Sequence, residues 1–167
     1  MSTSTSLAQP RVNYMKQSPE LFQKFLDFSM AIARDGDIEP GMAHLVDIRA
    51  SQMNGCAFCL DMHVKQAHLH KETALRLHHV AIWRESPLFT ERERAALAWT
   101  EALTRIDAHG VSDALYEQVR EHFSEKELSA LTFQVMSVNG WNRVNVAFRS
   151  VPGSRDKMFG LDKAGLA

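Results

Sequence analysis

Three features of this 167-residue chain predict an all-α, single-domain helical bundle. Apolar residues recur at three- and four-residue intervals in run after run, and almost no segment alternates strictly with β-branched enrichment. Two of the runs are preceded by a Ser/Thr-x-x-Glu capping box, at Thr90–Glu93 and Ser124–Glu127. The length suits one domain with a short arm, and a compact fold of this mass hides about 70% of its extended surface.

The elements follow in order. Residues 1–17, rich in Ser and Thr, are expected to form a flexible N-terminal arm. Ser18-Pro19-Glu20 starts a helix to Ala33, with a capping hydroxyl, proline in the first turn and then an acid. Its apolar residues, Leu21 to Ile32, extend around more than one face, as deep burial or a subunit contact requires. Asp35-Gly36-Asp37 breaks it. Pro40-Gly41 opens a second run to Met53, and Asn54-Gly55 ends that one. A third helix starts at or just before Cys56 and reaches about His70. Thr73–Trp83 is a fourth, stopped by Ser86-Pro87. The first capping box launches a fifth helix, expected to reach Gly110; Ser112–His122 is a sixth. The second box launches a long seventh, to about Phe148, stopped by Val151-Pro152-Gly153. The helical domain thus spans 18–152, and 153–167 reads as a tail. No internal repeat is visible.

Composition narrows the function classes. Nineteen Lys+Arg against twenty Asp+Glu give a net charge of −1, which argues against a nucleic-acid partner needing a basic face. From Arg143 onward, five Lys/Arg against two Asp leave a local +3, by default a solvated surface. The longest uncharged stretch, Leu128–Asn142, is too short and too polar to span a bilayer. The first eleven residues carry no basic segment followed by an apolar one, so no secretory leader and a cytoplasmic location are expected.

The two cysteines, Cys56 and Cys59, form a C-x-x-C pair. Their closed loop is too small to restrict the unfolded chain much, so a redox or metal role outranks a staple. On a helix, Cys56 and Cys59 are i,i+3, and Cys59 and His63 are i,i+4; the three line one stripe. That stripe is expected to be an edge open to small oxidants. Cys56 lies in the first turn, where free N–H groups and the helix dipole favour a thiolate. Cys59 has His63 one turn on as base or counter-ion. An i,i+3 pair is within disulfide reach. The thiolate attacks an electrophilic oxygen or sulfur and the second thiol closes a disulfide. Spacing leaves open which thiol attacks: the dipole favours Cys56, base proximity Cys59.

The run Leu45-Val-Asp-Ile-Arg-Ala-Ser-Gln-Met-Asn-Gly-Cys56-Ala-Phe-Cys59-Leu-Asp-Met-His63 resembles the core of the alkylhydroperoxidase D-like proteins of the carboxymuconolactone decarboxylase family. The resemblance continues through Ala81–Glu85, Phe89–Trp99 and Asn142–Arg149 and covers about residues 20–152. It implies an all-helical fold assembled as homo-oligomers, trimers or hexamers. It also implies reduction of small hydroperoxides, with recharging by an external dithiol or lipoyl-type donor and no bound cofactor. In that likeness Cys59 is the attacking thiol, Cys56 its disulfide partner and His63 the proton relay. Two positions depart from the family's peroxidases: His44 stands where they carry a relay glutamate, twelve residues before the first cysteine, and Phe58 where they carry a histidine. An imidazole shuttles protons near neutral pH, so His44 is a candidate substitute, acting on His63 through water; the alternative is a helix-face residue with no role.

Other readings use the same residues. Cys56, Cys59, His63 and His44 have the ligand types of a Cys2His2 zinc site, though not its usual spacing. A redox-sensing or partner-binding module with little turnover is a further alternative, as is the family's non-redox decarboxylase chemistry. His68, His70, His78 and His79 fall on different helical faces and are expected to be solvated or interfacial, and Asp61 to face solvent or an adjacent helix. Trp83, Trp99 and Trp141 are expected in the core or a subunit contact.

Overall fold

The computed structural model describes residues 9–35 and 37–166. Residues 1–8 of the expected arm lie outside them, as do Gly36 of the expected break after the first long helix and Ala167 of the expected tail. Among the described residues, nine α-helices run in the order α1 (Tyr14–Gln17), α2 (Pro19–Asp35), α3 (Pro40–Asn54), α4 (Ala57–Leu69), α5 (Ala74–His79), α6 (Glu91–Thr104), α7 (Asp113–Arg120), α8 (Glu125–Phe148) and α9 (Asp156–Phe159). Short 3₁₀ turns cover Val80–Ile82 and Leu161–Ala164. The fold is all-α, and the C-x-x-C pair opens the third of its long helices.

Helix α3 lies at the centre, in contact with α4, α6 and α8, and its sequence explains how one helix serves three neighbours. Met42 and Val46 enter one apolar cluster with Trp99 of α6, Val119 of α7 and Leu131 of α8. Leu45 and Ile48 enter a second with Ala67, Leu77, Val80, Trp83 and Leu97. Each fully buried Leu, Val or Ile contributes roughly 1.5–3 kcal/mol. The third face is polar. His44, Asp47, Ser51 and Asn54 recur at helical spacing, and the first three are buried. Asn142 of α8 donates to Ser51 and Asn54 donates to Asn139 and Asn142, so the lower part of this stripe is fastened to α8.

Both capping boxes form reciprocally, Thr90 with Glu93 and Ser124 with Glu127; each cap contributes about 1 kcal/mol. Gly55 ends α3 in the left-handed region at φ 64°, which releases the chain directly into α4. Helix α6 stops at Thr104, short of the expected Gly110, because Arg105 leaves helical geometry and Asp107 pairs with Gly110 in a tight turn. The expected fourth helix divides into α5 and a 3₁₀ turn. Trp83 and Trp99 are buried, as expected, while Trp141 is only partly covered.

Two segments outside the long helices pack onto them. Tyr14, within the expected arm, is buried, and Arg11 N–H donates to the Phe148 carbonyl at the end of α8. The expected tail carries α9 and is clamped to α4. Lys65, 5% exposed, ion-pairs with Asp61 and Asp156, and Asp61 accepts from Gly153 N–H. Asp61 therefore faces the C-terminal segment.

Candidate active site

Cys56 is the N-cap of α4: its Sγ accepts from Cys59 N–H at 3.2 Å. The two sulfurs are joined in a disulfide with Cα atoms 5.3 Å apart, the reach that i,i+3 spacing provides. The expectation of an open edge is corrected. Cys56 is 2% exposed and Cys59 0%, sealed under Phe58 and Met62. This happens because the stripe that carries the sulfurs turns inward, and the residues between and after them close over it.

Phe58, Met62 and His63 face a cavity of about 490 Å³ between α2, α3, α4, α8 and the C-terminal segment, within the ~300–1,000 Å³ range of small-molecule sites. Its walls are largely apolar, with Phe22, Leu26, Ile32, Trp141 and Phe159 among them. Its polar groups gather around His63 and around Arg155.

His63 Nδ1 is 3.0 Å from Gln66 Oε1 and 3.5 Å from Asp47 Oδ2. Both neighbouring atoms are oxygens, a pairing that favours a tautomer with N–H at Nδ1 and a lone pair at Nε2. Asp47, from the polar stripe of α3, accepts from Gln134 Nε2 at 2.6 Å. Burial pushes the Asp47 carboxyl up; His63 and the Gln134 hydrogen bond oppose this, and the net direction is upward. Sequence reasoning missed Asp47. A signal existed: an acid inside the apolar run Leu45-Val46-Asp47-Ile48, one turn from His44, on a stripe continued by Ser51.

His44 also lines the cavity, but its Nε2 meets Nδ1 of His70 at 2.5 Å, with the rings 4.8 Å apart. Burial, then the neighbouring His70 and His63, lower its pKa to about 4, against a weaker opposing pull from Glu72. His44 is therefore neutral at neutral pH. His70 is exposed but stands at the cavity wall; His68 and His78 are exposed, and His79 bonds Ser86. The four residues of the zinc alternative are not arranged around a common point: the sulfurs are bonded to each other, and His44 faces His70. Among the described residues no three His, Cys, Asp or Glu side chains form a metal-binding group. In these residues, too, no helix is long and apolar enough to cross a membrane.

Residues 19–102 match the carboxymuconolactone decarboxylase family. The uncharacterised protein YdfG of Bacillus subtilis strain 168 is 35% identical over 145 residues, 87% of this chain and 98% of that protein. The chain belongs to this family. Its fold is that of the alkylhydroperoxidase D-like members. A protein of unknown function from Agrobacterium tumefaciens, proposed as an antioxidant defence protein AhpD, superposes with a TM-score of 0.83 at 40% identity, covering 86% of this chain and 98% of its own. An uncharacterised peroxidase-related protein from Ralstonia eutropha JMP134, an alkylhydroperoxidase AhpD core, shares the fold at TM-score 0.75 and 21% identity, over 87% of this chain and 78% of its own.

Proposed function

We propose that this family member reduces hydroperoxides through a Cys56/Cys59 dithiol–disulfide cycle, with His63 as the proton relay and Asp47 as the residue that positions it. The observation that carries the reading is the bonded cysteine pair on the same helix as a histidine whose Nδ1 is held by Asp47 and Gln66. In the reduced protein, Nε2 of His63 takes the Cys59 proton. The thiolate attacks the terminal peroxide oxygen, the O–O bond breaks, and the alkoxide takes up a proton to leave as the alcohol. Cys59 is now a sulfenic acid. The Cys56 sulfur displaces its hydroxyl as water, forming the disulfide. An external dithiol of the lipoyl type restores both thiols by exchange and leaves as its own disulfide. No bound cofactor enters the balance.

Asp47 takes over in this scheme what was expected of His44, because a carboxyl beside Nδ1 stabilises the imidazolium formed when Nε2 is protonated. His44, neutral and engaged with His70, stays a polar wall residue. Access requires Phe58 and Met62 to swing aside, since both cover the sulfurs and both line the cavity. The apolar surface on α2 and α8, with Leu21 70%, Met30 41%, Phe133 47% and Met136 52% exposed, suits a homo-oligomer. A cytoplasmic setting, where thiols are kept reduced, suits the cycle.

The test is consumption of cumene hydroperoxide with dihydrolipoamide as donor. Cys59→Ser is expected to abolish it and Cys56→Ser to leave at most one turnover; undiminished consumption by Cys59→Ser overturns the assignment. Burial of both sulfurs favours a second reading, a redox sensor that turns over little. It predicts different oligomer sizes for the reduced and oxidised protein by light scattering, whereas the peroxidase reading predicts one size.

A further inference from the structure

The second polar cluster of the cavity is built around Arg155, from the segment that sequence reads as a tail. Its guanidinium lies over the rings of Tyr14, at 4.9 Å, and Phe58, at 5.1 Å. Its Nη1 donates to the Tyr14 hydroxyl at 2.6 Å, and that hydroxyl in turn donates to Asn145 Oδ1 at 3.1 Å. The Asn145 amide is committed to the Trp141 carbonyl. Tyr14 thus spends its one donor on Asn145, and the Asn145 amide donates to backbone. Among the described residues, no acceptor meets Nε or Nη2 of Arg155, which share one planar edge of the guanidinium. None of the ion pairs among the described residues uses this guanidinium. The neighbouring acid, Asp156, is taken by Lys65.

A fixed cation on the wall of an apolar cavity selects a ligand with one negative charge and a hydrocarbon body. We infer that the cavity binds an organic monocarboxylate, its two oxygens on the free edge of Arg155 and its chain or ring among Phe22, Leu26, Ile32 and Trp141. The planar fork matches a carboxylate. A phosphate dianion would shed far more hydration for the same single cation. Asp47, the one carboxyl that lines the cavity among the described residues, stands with His63 and Gln134 and makes no ion pair with Arg155. The inference goes beyond the dithiol chemistry and holds whether or not a hydroperoxide is the substrate.

The experiment is calorimetric titration of the full chain, as the disulfide, with decanoate and with decanol, in the absence of peroxide and thiol. Decanoate is expected to bind once per chain and about tenfold or more tighter than decanol, the preference one charge-assisted fork supplies. Arg155→Gln is expected to erase that preference in a protein that stays folded and still binds decanol, with a thermal melt lowered by the lost contacts to Tyr14 and Phe58. Should that variant not fold, Arg155→Lys takes its place and is expected to reduce the preference without abolishing it. Equal binding of the acid and the alcohol, an unchanged preference in the variant used, or no saturable decanoate binding below about 1 mM overturns the inference. Because no redox step is read, any of these results leaves the cysteine cycle to its own test.

Discussion

Asp47 and Arg49 stand two residues apart on α3 and belong to opposite kinds of polar cluster. Arg49 Nε donates to Glu101 of α6 at 2.7 Å, and Glu101 also accepts from Trp83 Nε1 at 2.8 Å and pairs with Arg84. Burial alone would raise the Glu101 carboxyl, but Trp83, Arg84 and Arg49 outweigh it and hold the group below its ordinary value. Asp47 has one amide donor and a histidine, and burial wins, so its carboxyl is held above its ordinary value. The same functional group is locked as an anion on one side of the helix and kept close to a proton on the other. A saturated ion cluster fastens α3 to α6, whereas an undersupplied carboxyl beside a histidine is suited to moving protons.

The sharpest way to break this contrast is Asp47→Asn. Its effect on turnover is expected to be the largest, a loss of about 10²–10³-fold, the scale of general acid–base assistance, with a displaced pH–rate profile. Stability at neutral pH should not fall. The native state holds the Asp47 proton more tightly than the unfolded chain does, so ionisation of this group costs stability as pH rises from the unfolded value toward the folded one. Urea melts check this half of the prediction, and a destabilised variant with unchanged turnover would make Asp47 a structural acid like Glu101.

Glu101→Gln should do the reverse. Removing the anion leaves Arg49 without its partner and is expected to cost about 3 kcal/mol in a urea melt, with activity per folded molecule unchanged. The Glu101 contribution is present above the unfolded value and lost as pH falls through the lowered native one. The variant should therefore show a flatter acid limb of stability than the parent.

His44→Gln tests the polar stripe one turn away from Asp47. With a native pKa of about 4 against 6.5, His44 binds fewer protons folded than unfolded in that window. Stability from this group is full above about pH 6.5 and lost on acidification toward 4. The variant is expected to lose less Tm than the parent between those pH values. The smallest effect is expected of Gln134→Met, which removes the hydrogen bond opposing burial at Asp47. Its acid limb of the pH–rate profile should move upward by about one unit or less, with Tm nearly unchanged.

Local signals in the sequence carried much of the fold. The two capping boxes, Gly55 and the proline at the start of α3 each act within one turn, and each marks a helix end where the structure has one. Ile106 misled the reading of α6, since its apolar side chain extended the periodic run, yet it is 64% exposed beyond the helix end. The cysteine pair was legible for the same reason as the caps: spacing along one helix settles it. The apolar run around Asp47 marked it as a buried acid, but its pairing with His63 was not legible, because that partner lies on the next helix and only the crossing of α3 over α4 brings the two together. Arg155 was still less accessible. Its place in the cavity wall follows the C-terminal segment, which α4 holds through Lys65 on Asp156 and Asp61 on Gly153 N–H, contacts between residues far apart in the chain.

In the proposed cycle the buried cysteine pair is a working dithiol reached from the cavity, and a single-turnover experiment tests this most directly. Fully reduced protein is mixed with one equivalent of cumene hydroperoxide, and the remaining thiols are titrated. Loss of both thiols for each hydroperoxide consumed, with return of the Cys56–Cys59 disulfide, is the expected result. Two thiols surviving beside intact hydroperoxide would contradict it.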